Sequence, residues 1–216
     1  MKKKQNEIFL KQEGNSFFIR NHNKNKKKKF GLKDPISKAI LQCLDKNYKK
    51  KSLLEIGCGE GKRLKWISKN LKIKCYGVEP SEKAIKIANS KEVEVIQGTA
   101  DILEFEKNKF DFVIFGFCLY LCDRSDLFQI AKEADRVLKN NGYLIIHDFY
   151  SKTHKKKKYV HRNNIYSYKM DYRKLFDWHP NFTSIFHKIS AHNGKIFTDN
   201  EDNWVSTSIL KKKEIK

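Results

Sequence analysis

Apolar residues are sparse over the first 34 positions, where the chain reads as polar and irregular apart from an aromatic patch at Phe17 and Phe18. A regular pattern begins at Asp34-Pro35, an N-cap followed by a residue suited to the first helical turn. Ile36, Ile40, Cys43 and Leu44 follow at helical spacing, so an amphipathic helix is expected over 35–46. From residue 52 short apolar runs alternate with helical ones. Strands are expected at Ser52 to Ile56, Ile73 to Val78, Val93 to Gln97, Phe110 to Phe115 and Tyr143 to Phe149. Between them, helices are expected at Lys62 to Asn70, after Ser81 (carrying Ala84, Ile85 and Ala88), and through Leu127, Ile130, Ala131, Ala134, Val137 and Leu138. Asp123, with Asp126 three residues on, is the expected cap of that last helix. Asp101 to Phe105 reads as a short turn or helix.

Alternation at this spacing predicts an α/β fold with a doubly wound, mainly parallel sheet, because near-continuous apolar strands must be covered on both faces. The rhythm breaks after residue 150. Residues 151–181 are basic and aromatic, with at most one helix near Tyr172 to Trp178. Two longer runs, Thr183 to Ala191 and Trp204 to Leu210, have no helix between them, so an antiparallel closing pair is expected. At 216 residues the chain is read as one domain, since domains average roughly 150 residues. Its parts are then a cover segment (1–34), a ligand-binding core (35–149), an insertion on the acceptor side (150–181) and the closing strands (182–216).

Composition narrows the class. An apolar content of 39% excludes a disordered polymer, and no apolar run is long enough to span a membrane. The basic N-terminal residues are not followed by the apolar core of a secretory signal, and five scattered Cys form no disulfide framework, so a cytoplasmic setting is expected. The charge is unusual: 46 Lys plus Arg against 25 Asp plus Glu, a formal +21. Lysine runs at Lys2 to Lys4, Lys24 to Lys29, Lys49 to Lys51, Lys155 to Lys158 and Lys211 to Lys213 lie near the chain ends or at breaks in the apolar pattern. They fit either a polyanionic partner such as RNA or a compositional bias toward Lys on a solvated surface.

The densest chemical signal is Glu55-Ile56-Gly57-Cys58-Gly59-Glu60-Gly61, where the first strand feeds a helix. In a doubly wound sheet that turn lies at the carboxyl edge, where ligands bind. The dinucleotide fingerprint fails because Lys62 replaces its third glycine, and the P-loop spacing fails as well. Glu60 also puts a carboxylate where a pyrophosphate would sit. A ligand with positive charge and no phosphate remains, and S-adenosylmethionine has that character. Glu79 ends the second strand, where a carboxylate can accept from two ribose hydroxyls. Asp101, after the third strand, can accept from an adenine amino group or cap a helix.

These residues resemble the core of class I S-adenosylmethionine-dependent methyltransferases. The resemblance rests on Glu55-x-Gly57-x-Gly59-x-Gly61, on Glu79, on Ala100-Asp101, on Phe110-Asp111-Phe112-Val113-Ile114 and on Glu133 to Gly142 leading into the next strand. It implies a seven-stranded sheet with its last strand antiparallel. It also implies S-adenosyl-L-methionine as cofactor, held by Glu55 near the methionine amino group and by Gly57, Cys58, Gly59, Gly61, Glu79, Pro80, Ala100, Asp101, Phe115 and Gly116. His147 and Asp148 end the fifth strand at the catalytic edge, where His147 either takes an acceptor proton or packs at the strand end. Tyr120, Tyr150 and His154 are expected near the acceptor. Cys118 and Cys122 have no companion ligands at metal spacing, so no metal is expected. Strand four lacks the Asn/Asp-Pro-Pro-aromatic signature of enzymes that methylate base amino groups. The expected reaction is therefore methyl transfer to a small molecule, a hydroxyl of a sugar or an anionic metabolite. The alternatives are an RNA-directed methyltransferase and a non-catalytic S-adenosylmethionine-binding module.

Overall fold

The computed structural model describes residues 4–25, 30–194 and 198–213. The lysine run at 24–29 and the first residues of the run at 2–4 therefore fall largely outside the described residues. The central element is a seven-stranded sheet. Its strands are β1 (Ser52–Ile56), β2 (Lys74–Glu79), β3 (Val93–Gln97), β4 (Phe110–Gly116), β5 (Leu138–Phe149), β8 (Phe182–Ala191) and β9 (Trp204–Lys212), in the order β3-β2-β1-β4-β5-β9-β8. The first five are parallel, and β9 runs antiparallel between β5 and β8. This is the doubly wound, mainly parallel class that the strand pattern predicts, with the expected antiparallel closing strand.

Both faces of the sheet are covered, which is why its strands are apolar on both sides. Leu53, Phe112, Ile114 and Ile145 pack with α3 (Pro35–Gln42) and α4 (Lys62–Leu71) on one face. Leu54, Ile56, Val113, Phe115 and Leu144 pack with α6 (Leu127–Val137) and α7 (Lys174–Asp177) on the other. The helix α5 (Glu82–Ala88) follows β2, with Ser81 capping it by accepting from the Ala84 N–H. Strand order reverses between β1 and β4, so a crevice opens at the carboxyl ends of the strands there.

The structure departs from the pattern in four places. The first segment is helical, as α1 (Gln5–Ile8), a π-helical turn (Phe9–Glu13) and α2 (Gly14–Asn25). Its tethers are polar and long-range, so periodicity does not reveal it: the Gln5 amide donates to the Leu121 and Tyr166 carbonyls and accepts the Tyr166 N–H. The helix α3 stops at Gln42, four residues short of expectation, and Asp45 instead accepts from the Asn47 N–H and pairs with Lys51. Asp123 does not cap α6. It accepts from the Gln5 N–H at 2.7 Å, and a 3₁₀ turn (Arg124–Asp126) precedes the helix. Finally, the region read as irregular after residue 150 holds an antiparallel hairpin, β6 (Lys155–Lys158) with β7 (Tyr166–Lys169).

Candidate functional site

The crevice is built around the turn from β1 to α4. Gly57, Gly59 and Gly61 all have positive φ, a region that side chains with a Cβ rarely enter. At Gly57 a Cβ would lie 3.0 Å from the Cys118 Cβ, whereas at Gly59 it would meet nothing within 4 Å. The chain thus leaves open space directly over Gly59.

Two buried carboxylates flank that space. Glu79 Oε2 accepts from the Gly59 N–H at 2.9 Å, and its Oε1 accepts from the Ser81 N–H at 3.0 Å. Burial pushes its pKa up to about 7, against the pull of those two N–H groups. Each oxygen keeps a lone pair for a further donor. Glu55, alone among apolar neighbours in β1, pairs with the Arg63 guanidinium from α4. Its Oε2 is buried and has no hydrogen-bond partner among the described residues. Burial raises the Glu55 pKa to about 7, with Arg63 opposing. Arg63 also reaches Asp34 at 3.0 Å and stacks 4.9 Å from the Phe30 ring. Burial would raise the Asp34 carboxyl, but Arg63 and Ser37 outweigh it and hold the group below its ordinary value.

The cleft has two connected lobes that share Gly57, Glu79 and Phe17. One lobe is walled by Pro80, Ala100, Asp101, Cys118 and Ile130, and the other by Glu55, Cys58, Gly59, Glu60 and Arg63. The N-terminal helical segment roofs both, with Phe9 and Phe17 facing down. It is fastened on several sides. Asn6 donates to Asp101 at 2.8 Å, and Asn15 accepts from the Ser81 hydroxyl at 2.8 Å and from the Lys83 N–H at 3.1 Å. Buried Glu13 pairs with Arg20 and accepts from the Tyr159 hydroxyl in the post-150 region. Gly14 allows the approach: a Cβ there would sit 2.7 Å from the Phe9 carbonyl oxygen and 3.2 Å from the Pro80 carbonyl carbon.

The expected site residues divide into two groups. Glu55, Gly57, Cys58, Gly59, Glu79, Pro80, Ala100 and Asp101 all line the cleft. Gly61 instead starts α4 and packs on Ala88. Phe115 lies fully buried in the core beneath, and Gly116 makes room for the Arg63–Glu55 pair, since a Cβ there would stand 2.9 Å from Arg63 Nη1. Phe115 and Gly116, expected as cofactor contacts, are therefore placed beneath the cleft and not in its lining.

His147 and Asp148, expected at the catalytic edge, lie at the end of β5 and do not line the cleft. His147 Nδ1 lies 2.8 Å from the Thr207 hydroxyl across the β5–β9 pairing, and its ring packs edge-on against Phe117. Asp148 is fully buried and its Oδ2 accepts from the Cys118, Leu119 and Tyr120 N–H groups. It therefore shapes the loop after β4, and burial pushes its pKa up to about 7. Tyr120 packs on Phe149, Tyr150 lies against Trp204, and His154 is exposed, so none of the three converges on the cleft. Residues 1–34 were expected as a cover, within which Asn6, Phe9, Gly14 and Asn15 are the ones that reach the cleft or its rim, and Arg63 is the functional residue that pattern reading missed. Arg63 left a signal, a charge beside inward-facing Leu64 and Ile67.

Residues 54–146 match the family model described as a methyltransferase domain. An uncharacterized protein of Methanocaldococcus jannaschii is 32% identical over 117 residues, which is 54% of this chain and 54% of the relative. A demethylmenaquinone methyltransferase of Lactococcus lactis subsp. lactis is 33% identical over 103 residues, 44% of this chain and 40% of the relative. The chain thus spans about half, or less, of the length of these curated relatives. Among solved structures, Burkholderia thailandensis 1,6-didemethyltoxoflavin-N1-methyltransferase with bound S-adenosylhomocysteine superposes with a TM-score of 0.68 at 13% identity, over 93% of this chain and 87% of that one. At that identity the likeness is one of fold.

Proposed function

We propose that the chain is a class I S-adenosylmethionine-dependent methyltransferase, a reading supported by the match of residues 54–146 to the methyltransferase-domain model, and that it transfers the cofactor's methyl group to a small-molecule acceptor, a hydroxyl of a sugar or related metabolite. The observation that carries this reading is the pair of buried carboxylates, Glu55 with an orphaned Oε2 and Glu79, facing one roofed cleft across the open space at Gly59. That donor set suits a ligand with an ammonium and a ribose and no phosphate. When bound, S-adenosylmethionine supplies a methyl group activated by a sulfonium.

The residues of the chain then have distinct tasks. Glu55 Oε2 receives the methionine ammonium, which relieves a buried acceptor that otherwise goes unsatisfied. Glu79 accepts from the ribose hydroxyls with its remaining lone pairs. Asp101 takes the adenine amino group in the lobe beside Ala100. Phe9 and Phe17 exclude water from above. In-line displacement depends mainly on alignment, which can contribute about 7–11 kcal/mol. The roof favours a small acceptor over a polymer, and the names of the relatives, a demethylmenaquinone and a toxoflavin-precursor methyltransferase, support that size. Asp123 and Asp126 also line the Asp101 lobe, and Lys4 pairs with Asp126 at 3.0 Å. With His147 and Asp148 outside the cleft lining, a proton leaving a hydroxyl acceptor would pass to water.

The test uses methyl-labelled cofactor with a small-metabolite extract and, separately, with total RNA. Label in the small-molecule fraction is the expected outcome, and label confined to RNA would sink the acceptor assignment. Glu79→Ala should weaken cofactor binding by more than about tenfold, the loss of roughly one charge-assisted bond. Unchanged binding would overturn the placement of the cofactor.

A further inference from the structure

At the opposite edge of the sheet, where β1, β2 and β3 begin, an open groove runs between α4 and the loop that leads into β3. Lysines converge on it from separate parts of the chain. Lys49, Lys50 and Lys51 come from the 3₁₀ turn before β1 and its exit, and Lys65, Lys69 and Lys72 from α4 and its C-terminus. Lys74 at the start of β2 and Lys91 before β3 complete the wall. Eight of the seventeen lining residues are lysine, and Glu92 and Glu94 are the only acids among them. Across the whole chain all the basic residues together number 46 in 216, so the groove concentrates charge well beyond the composition.

Two further observations bear on what this charge is for. Lys49, Lys50, Lys69, Lys72 and Lys91 form no ion pair among the described residues, and all five are exposed. Lys65 and Lys69 are spaced four apart along α4, an arrangement in which like charges repel, and Lys72 follows as the helix C-cap. The helix carries that repulsion while its stripe faces a concave surface.

We propose that this groove docks the phosphate backbone of a nucleic-acid duplex, independently of sequence and apart from the methyl-transfer cleft. Lysine acts toward phosphate as a point charge and lacks the planar fork that reads base edges. Among the described residues no aromatic side chain lines the groove, which therefore offers no stacking platform of the kind that single strands use. No large exposed apolar side chain lines it either, and a flat bilayer does not enter a groove. A convex, densely charged rod meets both conditions. Because the groove and the cleft occupy opposite ends of the strands, a duplex held here is an anchor and not the methyl acceptor.

The test is fluorescence anisotropy of the full chain with a duplex RNA of about 20 base pairs, a duplex DNA of the same sequence and one single strand, each from about 50 to about 200 mM salt. Both duplexes should bind within a few-fold of each other, with affinity falling steeply as salt rises. The triple variant K69Q/K72Q/K91Q should bind at least about tenfold more weakly, its salt slope reduced by about 0.9 for each phosphate no longer neutralised. The control K155Q/K156Q/K157Q, in the β6–β7 hairpin, should bind as the parent does. Cofactor binding and the circular dichroism spectrum of both variants should match the parent, which excludes misfolding. The proposal is overturned if the groove variant binds like the parent or the hairpin variant weakens as much. A tenfold preference for the single strand, or for phosphatidylserine-containing vesicles, overturns it too.

Discussion

At the carboxyl edge of the sheet charge is buried and each group has a defined partner: Glu55 faces Arg63, Glu79 holds two backbone N–H groups, and Asp148 holds the loop after β4. At the amino edge charge is exposed, predominantly positive and largely unpaired, with Glu92 and Glu94 the two acids in the groove lining. The difference shows how a chain of +21 can carry its chemistry on a few acids. A buried charge costs several kcal/mol unless compensated, so each one present is fixed by geometry. An exposed lysine costs little and is free to accumulate. The contrast predicts that single changes at the first edge are severe and that those at the second are mild.

The largest effect should come from Arg63→Met. Removing the guanidinium leaves Glu55 and Asp34 buried without their cation, a loss of about 3–5 kcal/mol. Urea unfolding should show it as a fall in midpoint at constant slope. The double variant Arg63→Met with Glu55→Gln should recover part of the loss, because the charge that lacked a partner is then gone. A single variant as stable as the parent would break the claim that this edge depends on paired burial.

Next is the roof. Gly14→Ala puts a methyl group against the Phe9 carbonyl and the Pro80 backbone, and such overpacking costs about 1–3 kcal/mol. Because the strain lifts the helical segment from Pro80–Ser81, hydrogen exchange over residues 5–25 should accelerate and cofactor affinity should fall with it. Unchanged exchange there would show that the roof does not depend on Gly14.

The roof also marks where sequence reading ended. The residues lining the cleft floor were legible because they fall in short motifs at or just after strand ends. Glu55 to Gly61 and Glu79 sit at strand ends and Asp101 in the turn after β3, and strand ends follow from apolar periodicity. The roof depends on Gln5 with Tyr166, Asn6 with Asp101 and Glu13 with Tyr159, contacts between positions far apart in sequence. Polar tethers of that kind leave no periodic trace. The same limit explains His147 and Asp148. Pattern placed them at the end of β5, but only packing shows that His147 turns to Thr207 and that Asp148 commits its oxygens to N–H groups. The amino-edge groove is a third case, since the run at 49–51 was visible while Lys69, Lys72 and Lys91 join it only after folding.

A pH series sharpens the comparison without mutation. Glu55, Glu79 and Asp148 have folded pKa values raised to about 7, from ordinary values of 4.5, 4.5 and 3.8. Between those limits the folded state holds more protons than the unfolded one, so stability should be highest below about pH 4 on their account and fall as pH rises to about 7. Ribose hydroxyls and an ammonium favour the ionised carboxylates, so cofactor binding should release protons and tighten as pH approaches 7, by at most about tenfold per pH unit for each proton released. Calorimetry in buffers of different ionisation heat measures the release. Glu79→Gln should remove its share, and proton uptake on binding would contradict the assigned contacts.

The smallest effect has the opposite sign. Lys72 ends α4 in the left-handed region at φ 58°, where a side chain is strained and glycine is favoured. Lys72→Gly relieves that strain, which costs roughly 1–2 kcal/mol, but part of the gain is offset by unfolded-chain entropy. It also removes a repulsive neighbour of Lys69, worth about 0.2–0.5 kcal/mol. The net should be a stabilisation of about 0.5–1 kcal/mol, read as a higher thermal midpoint, with cofactor affinity unchanged and duplex affinity reduced. A stability gain from deleting a charge at one edge, beside a collapse from deleting one at the other, would establish that the amino-edge lysines are kept at a cost to the fold. A loss of stability at Lys72→Gly would instead make that lysine part of the framework and narrow the difference between the two edges.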